Sequence, residues 1–116
     1  MNARKFLKSF SYAFQGIITA SQQQNMKFHL VSAFIVLTAA ILTKLSIVEW
    51  AILCIVIGVM FSLEMINTSI EAVVDLASPE FHPLAKVAKD VAAGAVLVFA
   101  VFSVIIGVLI FFPKWF

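Results

Sequence analysis

Hydrophobic and polar positions follow two rhythms along this chain. From residue 3 to 20 the rhythm is that of an amphipathic helix. At about 100° per residue, Phe6, Leu7, Phe10, Phe14, Ile17 and Ile18 share an arc of about 120°, while Arg4, Lys5, Lys8, Ser9, Tyr12 and Gln15 take the opposite side. Such a helix suits the headgroup layer of a membrane, with phenylalanines buried and basic residues drawn to anionic lipid. The polar stretch 21–25 reads as a connector. Long apolar runs then replace the periodicity. Residues 30–48 are interrupted only by Lys44, whose stem can snorkel to an interface. A tight turn over 46–50 leads into a run, 50–63, without a charge, and the same helix continues to Asp75. Pro79 and Pro83 break the helix, 84–90 forms a basic approach, and 91–112 is again uncharged. That last run is about 33 Å long as a helix, enough to cross a bilayer, and Pro113 is expected to stop it.

The pattern predicts an all-α membrane protein with one domain over 1–116: a surface helix at 3–20 and spans at 30–48, 50–75 and 91–112. Composition agrees. Hydrophobic residues make up 63% of the chain and charged residues 12%, with a mean hydropathy of +1.09. A soluble domain carries about a quarter charged residues, so that class is excluded. The one cysteine, Cys54, lies in an apolar run and reads as a small hydrophobe. No cleavable signal is expected, because the first apolar residues are interleaved with Arg4, Lys5 and Lys8. Arg4, Lys5, Lys8, Lys27, Lys86 and Lys89 fall on one side of the predicted spans, and Lys44 and Lys114 on the other. The basic side, with the N-terminus, is therefore expected to be cytoplasmic.

One segment breaks the apolar texture. Glu64, Asn67, Glu71 and Asp75, spaced by three, four and four, fall within about 80° of one helix face. A carboxylate near mid-bilayer costs on the order of 2.5 to 3.5 kcal/mol on insertion scales, so Glu64 is a functional residue by default. With so few helices available to hide the stripe, self-association is expected. Asn67 taken alone also suits plain interhelical hydrogen bonding. His29 and His82, at span ends, read as interfacial residues, and neither other span offers Glu64 a Lys or Arg partner in its apolar middle.

Several chemistries are absent from the sequence. Four glycines form neither a phosphate-cradling loop nor a dinucleotide fingerprint, and there is no CxxC, HExxH or serine elbow. Any nucleotide must be held by side chains and metal. Glu71 and a nearby acid can hold Mg²⁺, a hard cation that takes carboxylates and substrate phosphates. Lys89 can meet phosphates as a point charge, and Asp90 can orient it or receive a ribose hydroxyl. Glu64, deeper in the apolar layer, is placed as a general base for a buried hydroxyl. Together these are the parts that phosphoryl transfer needs. A proton-coupled role for the stripe is disfavoured because residues 50–63 offer no polar route across the bilayer. A purely structural role leaves Lys89-Asp90 without a purpose.

The segment Glu64-Met65-Ile66-Asn67-Thr68-Ser69-Ile70-Glu71, followed by Asp75, resembles the E-x-x-N-[ST]-[AS]-I-E-x-x-x-D signature of the small trimeric bacterial diacylglycerol kinase family. Ala88-Lys89-Asp90-Val91-Ala92-Ala93-Gly94-Ala95-Val96 is similar to its second block, and the form of 82–86 and 92–94 is closer to the undecaprenol kinase branch. The resemblance implies ATP-dependent phosphorylation of undecaprenol, or alternatively of diacylglycerol, by a homotrimer in the bacterial cytoplasmic membrane, with the site on the cytoplasmic side and no nucleic-acid partner. It implies Glu64 as catalytic base, Glu71 as Mg²⁺ ligand and ATP contact, and Lys89 and Asp90 as ATP contacts. Glu80, His82, Arg4 and Tyr12 match further nucleotide-side positions, and Asn67 and Asp75 support the site. One departure stands out. The family's second metal-binding glutamate, in a segment like E-x-N-x-x-x-H, falls on Gln23 counting back from His29, or on Gln24 counting forward from Gly16. Neither is a carboxylate, so weakened metal binding is expected.

Overall fold

A computed structural model describes residues 2–116, which form four helices: α1 (Ala3–Ser21), α2 (Gln24–Thr43), α3 (Ile47–Ala77) and α4 (Pro83–Trp115). The last three are long and apolar enough to cross a membrane. At 1.5 Å per residue, α3 and α4 are each about 46 to 50 Å long, so both outreach a hydrocarbon layer of about 30 Å. The two pack along one another, with α2 against α3 and α1 touching the ends of α2 and α3.

Each boundary has a local cause. Asn2 caps α1, its Oδ1 accepting from the Arg4 amide at 2.9 Å. The α2 helix ends where Lys44 turns left-handed, at φ 59°, so residues 45–48 do not continue the span expected over 30–48. Ile47 and Val48 instead open α3, behind a capping box in which the Ser46 hydroxyl accepts from the Glu49 amide and the Glu49 carboxylate from the Ser46 amide. Pro83 stands at the first position of α4 and starts the helix expected only from residue 91, because that position needs no amide proton. Likewise α2 begins at Gln24, within the expected connector. Pro113, expected to stop the last span, lies inside α4, which continues to Trp115.

Two contacts pin that final turn. Trp115 Nε1 donates to Thr43 Oγ1 at 2.9 Å, and Lys114 pairs with Glu49 at 3.0 Å. They tie the ends of α2, α3 and α4 together on the side away from α1. Nearby, Ala40, Leu53, Ile110 and Phe111 form a small buried core. Most other apolar side chains on α2, α3 and α4 are exposed, as they must be in a chain solvated by lipid. Hydroxyls on these faces bond to their own helix: Ser32, Thr38, Ser62, Thr68 and Ser103 each donate to the carbonyl four residues earlier. On α1, Phe6, Phe10, Phe14, Ile17 and Ile18 are uncovered by the chain's other helices, which matches the expected interfacial face.

Candidate active site

Glu64 and Asn67, the two innermost members of the stripe, are buried at 2% and 3% exposure within a single copy of the chain. The outer members are not hidden in one copy: Glu71 is half-buried and Asp75 exposed. The partner that encloses Glu64 comes from α2. His29 Nε2 lies 3.3 Å from Glu64 Oε2, with both side chains largely shielded. His29, expected as an interfacial residue, stands near the start of α2 with its side chain turned to Glu64. The physical reason is helix stagger. Glu64 stands about 20 Å from the end of α3, whereas His29 stands only about 8 Å from the start of α2. For the two to meet, α3 must run past α2 by about 12 Å.

The pair lines a cavity of about 230 Å³ with Asn25, Asn67, Ala93 and Val96. Small side chains on α4 leave the space, and polar ones on α2 and α3 line it. A second, apolar groove of about 370 Å³ continues from it and shares Phe28, His29 and Ala100. A chamber that presents Asn25, His29, Glu64 and Asn67 among apolar walls thus opens into an oily trough, a shape that suits a molecule with one polar end and a hydrocarbon tail.

Toward the end of α3 the stripe becomes more accessible. Asn67 Nδ2 donates to Glu71 Oε1 at 3.4 Å, joining the buried level to a half-buried carboxylate. Asn67 Oδ1 is buried without a hydrogen-bond partner among the described residues. One turn further, Asp75 forms an ion pair with Lys89 of α4, and Lys86 pairs with Asp90 within α4. Of the acids and cations singled out by sequence, Asp75 and Lys89 meet across the two helices, while Lys86 and Asp90 pair only with each other. Glu64 and Glu71, two turns apart, stand about 10 Å apart along the axis.

The remaining positions lie around this rim or away from it. His82 caps α4, its Nδ1 accepting from the Leu84 amide at 3.1 Å, and this leaves Nε2 for another partner. Glu80 is exposed in the preceding connection, where its carbonyl accepts from the Ser78 hydroxyl. Gln23 sits at the N-cap of α2 and makes no capping hydrogen bond with its side chain. Arg4 and Tyr12 are exposed on α1 and make no side-chain bond to the site among the described residues. Sequence reasoning missed Asn25 and His29. Their spacing of four, which puts both on one face of α2, was the available signal.

Comparison with known proteins gives the same direction. The family described as "Prokaryotic diacylglycerol kinase" matches residues 11–111. The undecaprenol kinase of Bacillus subtilis is 56% identical over 111 residues, covering 95% of this chain and 90% of that protein. A diacylglycerol kinase of Synechocystis is 41% identical over 96% of this chain and 65% of its own length. A diacylglycerol kinase of Helicobacter pylori is 34% identical over 85% of this chain and 78% of its own.

Proposed function

This chain belongs to the prokaryotic diacylglycerol kinase family, and from that premise we propose that it is an ATP-dependent undecaprenol kinase, transferring the γ-phosphate to the lipid alcohol to form undecaprenyl phosphate. The observation that carries this reading is the buried Glu64 carboxylate in a chamber that continues into an apolar groove, with Lys89 paired to Asp75 about 16 Å further along α3. The groove accommodates hydrocarbon and the chamber accommodates the hydroxyl. Glu64 takes the hydroxyl proton as the alcohol oxygen bonds to the γ-phosphorus. The bond to the bridging oxygen breaks, and ADP leaves with that electron pair.

Lys89 supplies positive charge to the phosphates, held at the rim by Asp75, while Lys86 and Asp90 flank it. His82, with Nε2 uncommitted, and exposed Glu80 provide further nucleotide contacts from the connection. Arg4 and Tyr12 of α1 approach nucleotide only if that helix or a neighbouring copy covers the rim. For Mg²⁺, Glu71 offers a carboxylate, whereas Asn67 turns its Nδ2 toward that carboxylate and keeps its unpartnered Oδ1 buried. An ion held at Glu71 would offset the negative charge of the phosphates. Gln23 offers only a neutral carbonyl. The family likeness supports a homotrimer, and the excess of basic residues on the α1 side supports a cytoplasmic site.

A second reading, diacylglycerol as acceptor, is favoured by the names of the Synechocystis and Helicobacter relatives. Labelled-phosphate transfer from MgATP to the two lipids offered together separates them. Labelled undecaprenyl phosphate as main product supports the first reading, and labelled phosphatidic acid overturns it in favour of the second.

A further inference from the structure

The contact between His29 and Glu64 is not explained by membrane solvation alone. A histidine near the start of a span can turn to the headgroups. This one is instead directed into the bundle, its side chain 12% exposed against a carboxylate 3% exposed. The two atoms lie 3.3 Å apart without hydrogen-bond alignment, and because a carboxylate only accepts, drawing them into a hydrogen bond takes a proton on Nε2. Glu64 has no other charged group this close among the described residues. The lysines of α4 are committed elsewhere, Lys86 to Asp90, Lys89 to Asp75 and Lys114 to Glu49. The face of α4 that walls the chamber brings Ala93, Val96, Leu97 and Ala100, none of them polar.

Building on the proposed kinase activity, we infer that His29 is a positioning residue: its Nε2–H holds Glu64 Oε2 and turns Oε1 toward the hydroxyl of the lipid alcohol. The carboxylate has several rotatable bonds and a chamber of about 230 Å³ in which to move. A donor fixed from α2 removes that freedom. Placement of reacting groups to within an ångström is worth on the order of 100-fold in rate. At 3.3 Å the contact is longer than an ideal hydrogen bond, and such contacts tighten when substrate is bound. His29 also lines both the polar chamber and the apolar groove, so the same ring marks the level at which the hydroxyl end must stop.

The role requires a donor and not a group that exchanges a proton. His29→Leu removes the donor, and His29→Gln keeps an N–H near the place of Nε2. With undecaprenol and MgATP, His29→Leu is expected to lower kcat about 10- to 100-fold, with the KM for MgATP within about twofold of the parent. His29→Gln is expected to stay within about threefold. Unchanged kcat in His29→Leu overturns the inference, and so does a fall in His29→Gln as deep as in His29→Leu.

A readout independent of turnover is nitrogen NMR of the two histidines, which distinguishes failure of this inference from failure of the kinase reading. His29 is expected to hold its proton on Nε2 in the parent and to lose that preference in Glu64→Leu. A tautomer ratio indifferent to Glu64→Leu contradicts the positioning role, whatever the chain phosphorylates. The expected change, in a protein inactive toward both lipids, leaves the contact standing and overturns the kinase reading on which its catalytic use rests.

Discussion

Asp75 and Lys89 form an ion pair between α3 and α4, reaching across the two helix ends that residues 78–82 connect. Both side chains are substantially exposed, at 64% and 41%. Exposed pairs contribute little to stability because water screens them and holding long side chains in place costs entropy. On the proposed kinase reading, the pair aims the lysine at the phosphates. Asp75→Asn is therefore expected to leave the melting temperature nearly unchanged and to raise the KM for MgATP a few-fold. Lys89→Met should cost on the order of 100-fold or more in kcat/KM. Thermal unfolding beside MgATP saturation curves checks both, and a large loss of stability in Asp75→Asn would assign the pair to folding instead.

Gln23 stands at the N-cap of α2, where a carboxylate would meet the positive end of the helix and, on the proposed reading, the metal. Gln23→Glu is expected to lower the Mg²⁺ concentration that gives half-maximal turnover. Gln24→Glu, one residue into the helix, is expected to change it less. An unaltered Mg²⁺ dependence in Gln23→Glu would remove Gln23 from the metal site.

The opposite end of the bundle provides a contrast. Thr43→Val keeps the shape of the side chain and deletes two hydrogen bonds, the one accepted from the Trp115 indole and the one donated to the Ala39 carbonyl, each worth about 0.5 to 1.5 kcal/mol. A melting temperature lower by a few degrees with unchanged kcat is expected. A marked loss of turnover would show that the closure of this end is coupled to the site.

Much of this arrangement could be read from sequence because its determinants are local. The spacing of Glu64, Asn67, Glu71 and Asp75 sets their shared face, and the structure adds only the gradient from buried to exposed along it. The phenylalanine face of α1 follows from periodicity alone. What escaped was relational. The placement of Pro83 at a helix start depends on which amides are left over, and the survival of α4 through Pro113 accompanies contacts to Glu49 and Thr43, far away in sequence. The role of His29 depends on how far α3 overshoots α2, and no hydrophobic run records that offset.

On the proposed mechanism Glu64 removes the proton from the lipid hydroxyl, and Glu64→Gln isolates that step. The amide keeps the size of the side chain and cannot act as the base. Single-turnover transfer of labelled phosphate from MgATP to undecaprenol, with ATP binding measured on the same preparations, is the most direct measurement. A fall of about 10² to 10⁴-fold in the transfer rate, with ATP affinity retained, is the predicted result. Transfer at the parent rate by Glu64→Gln would contradict it.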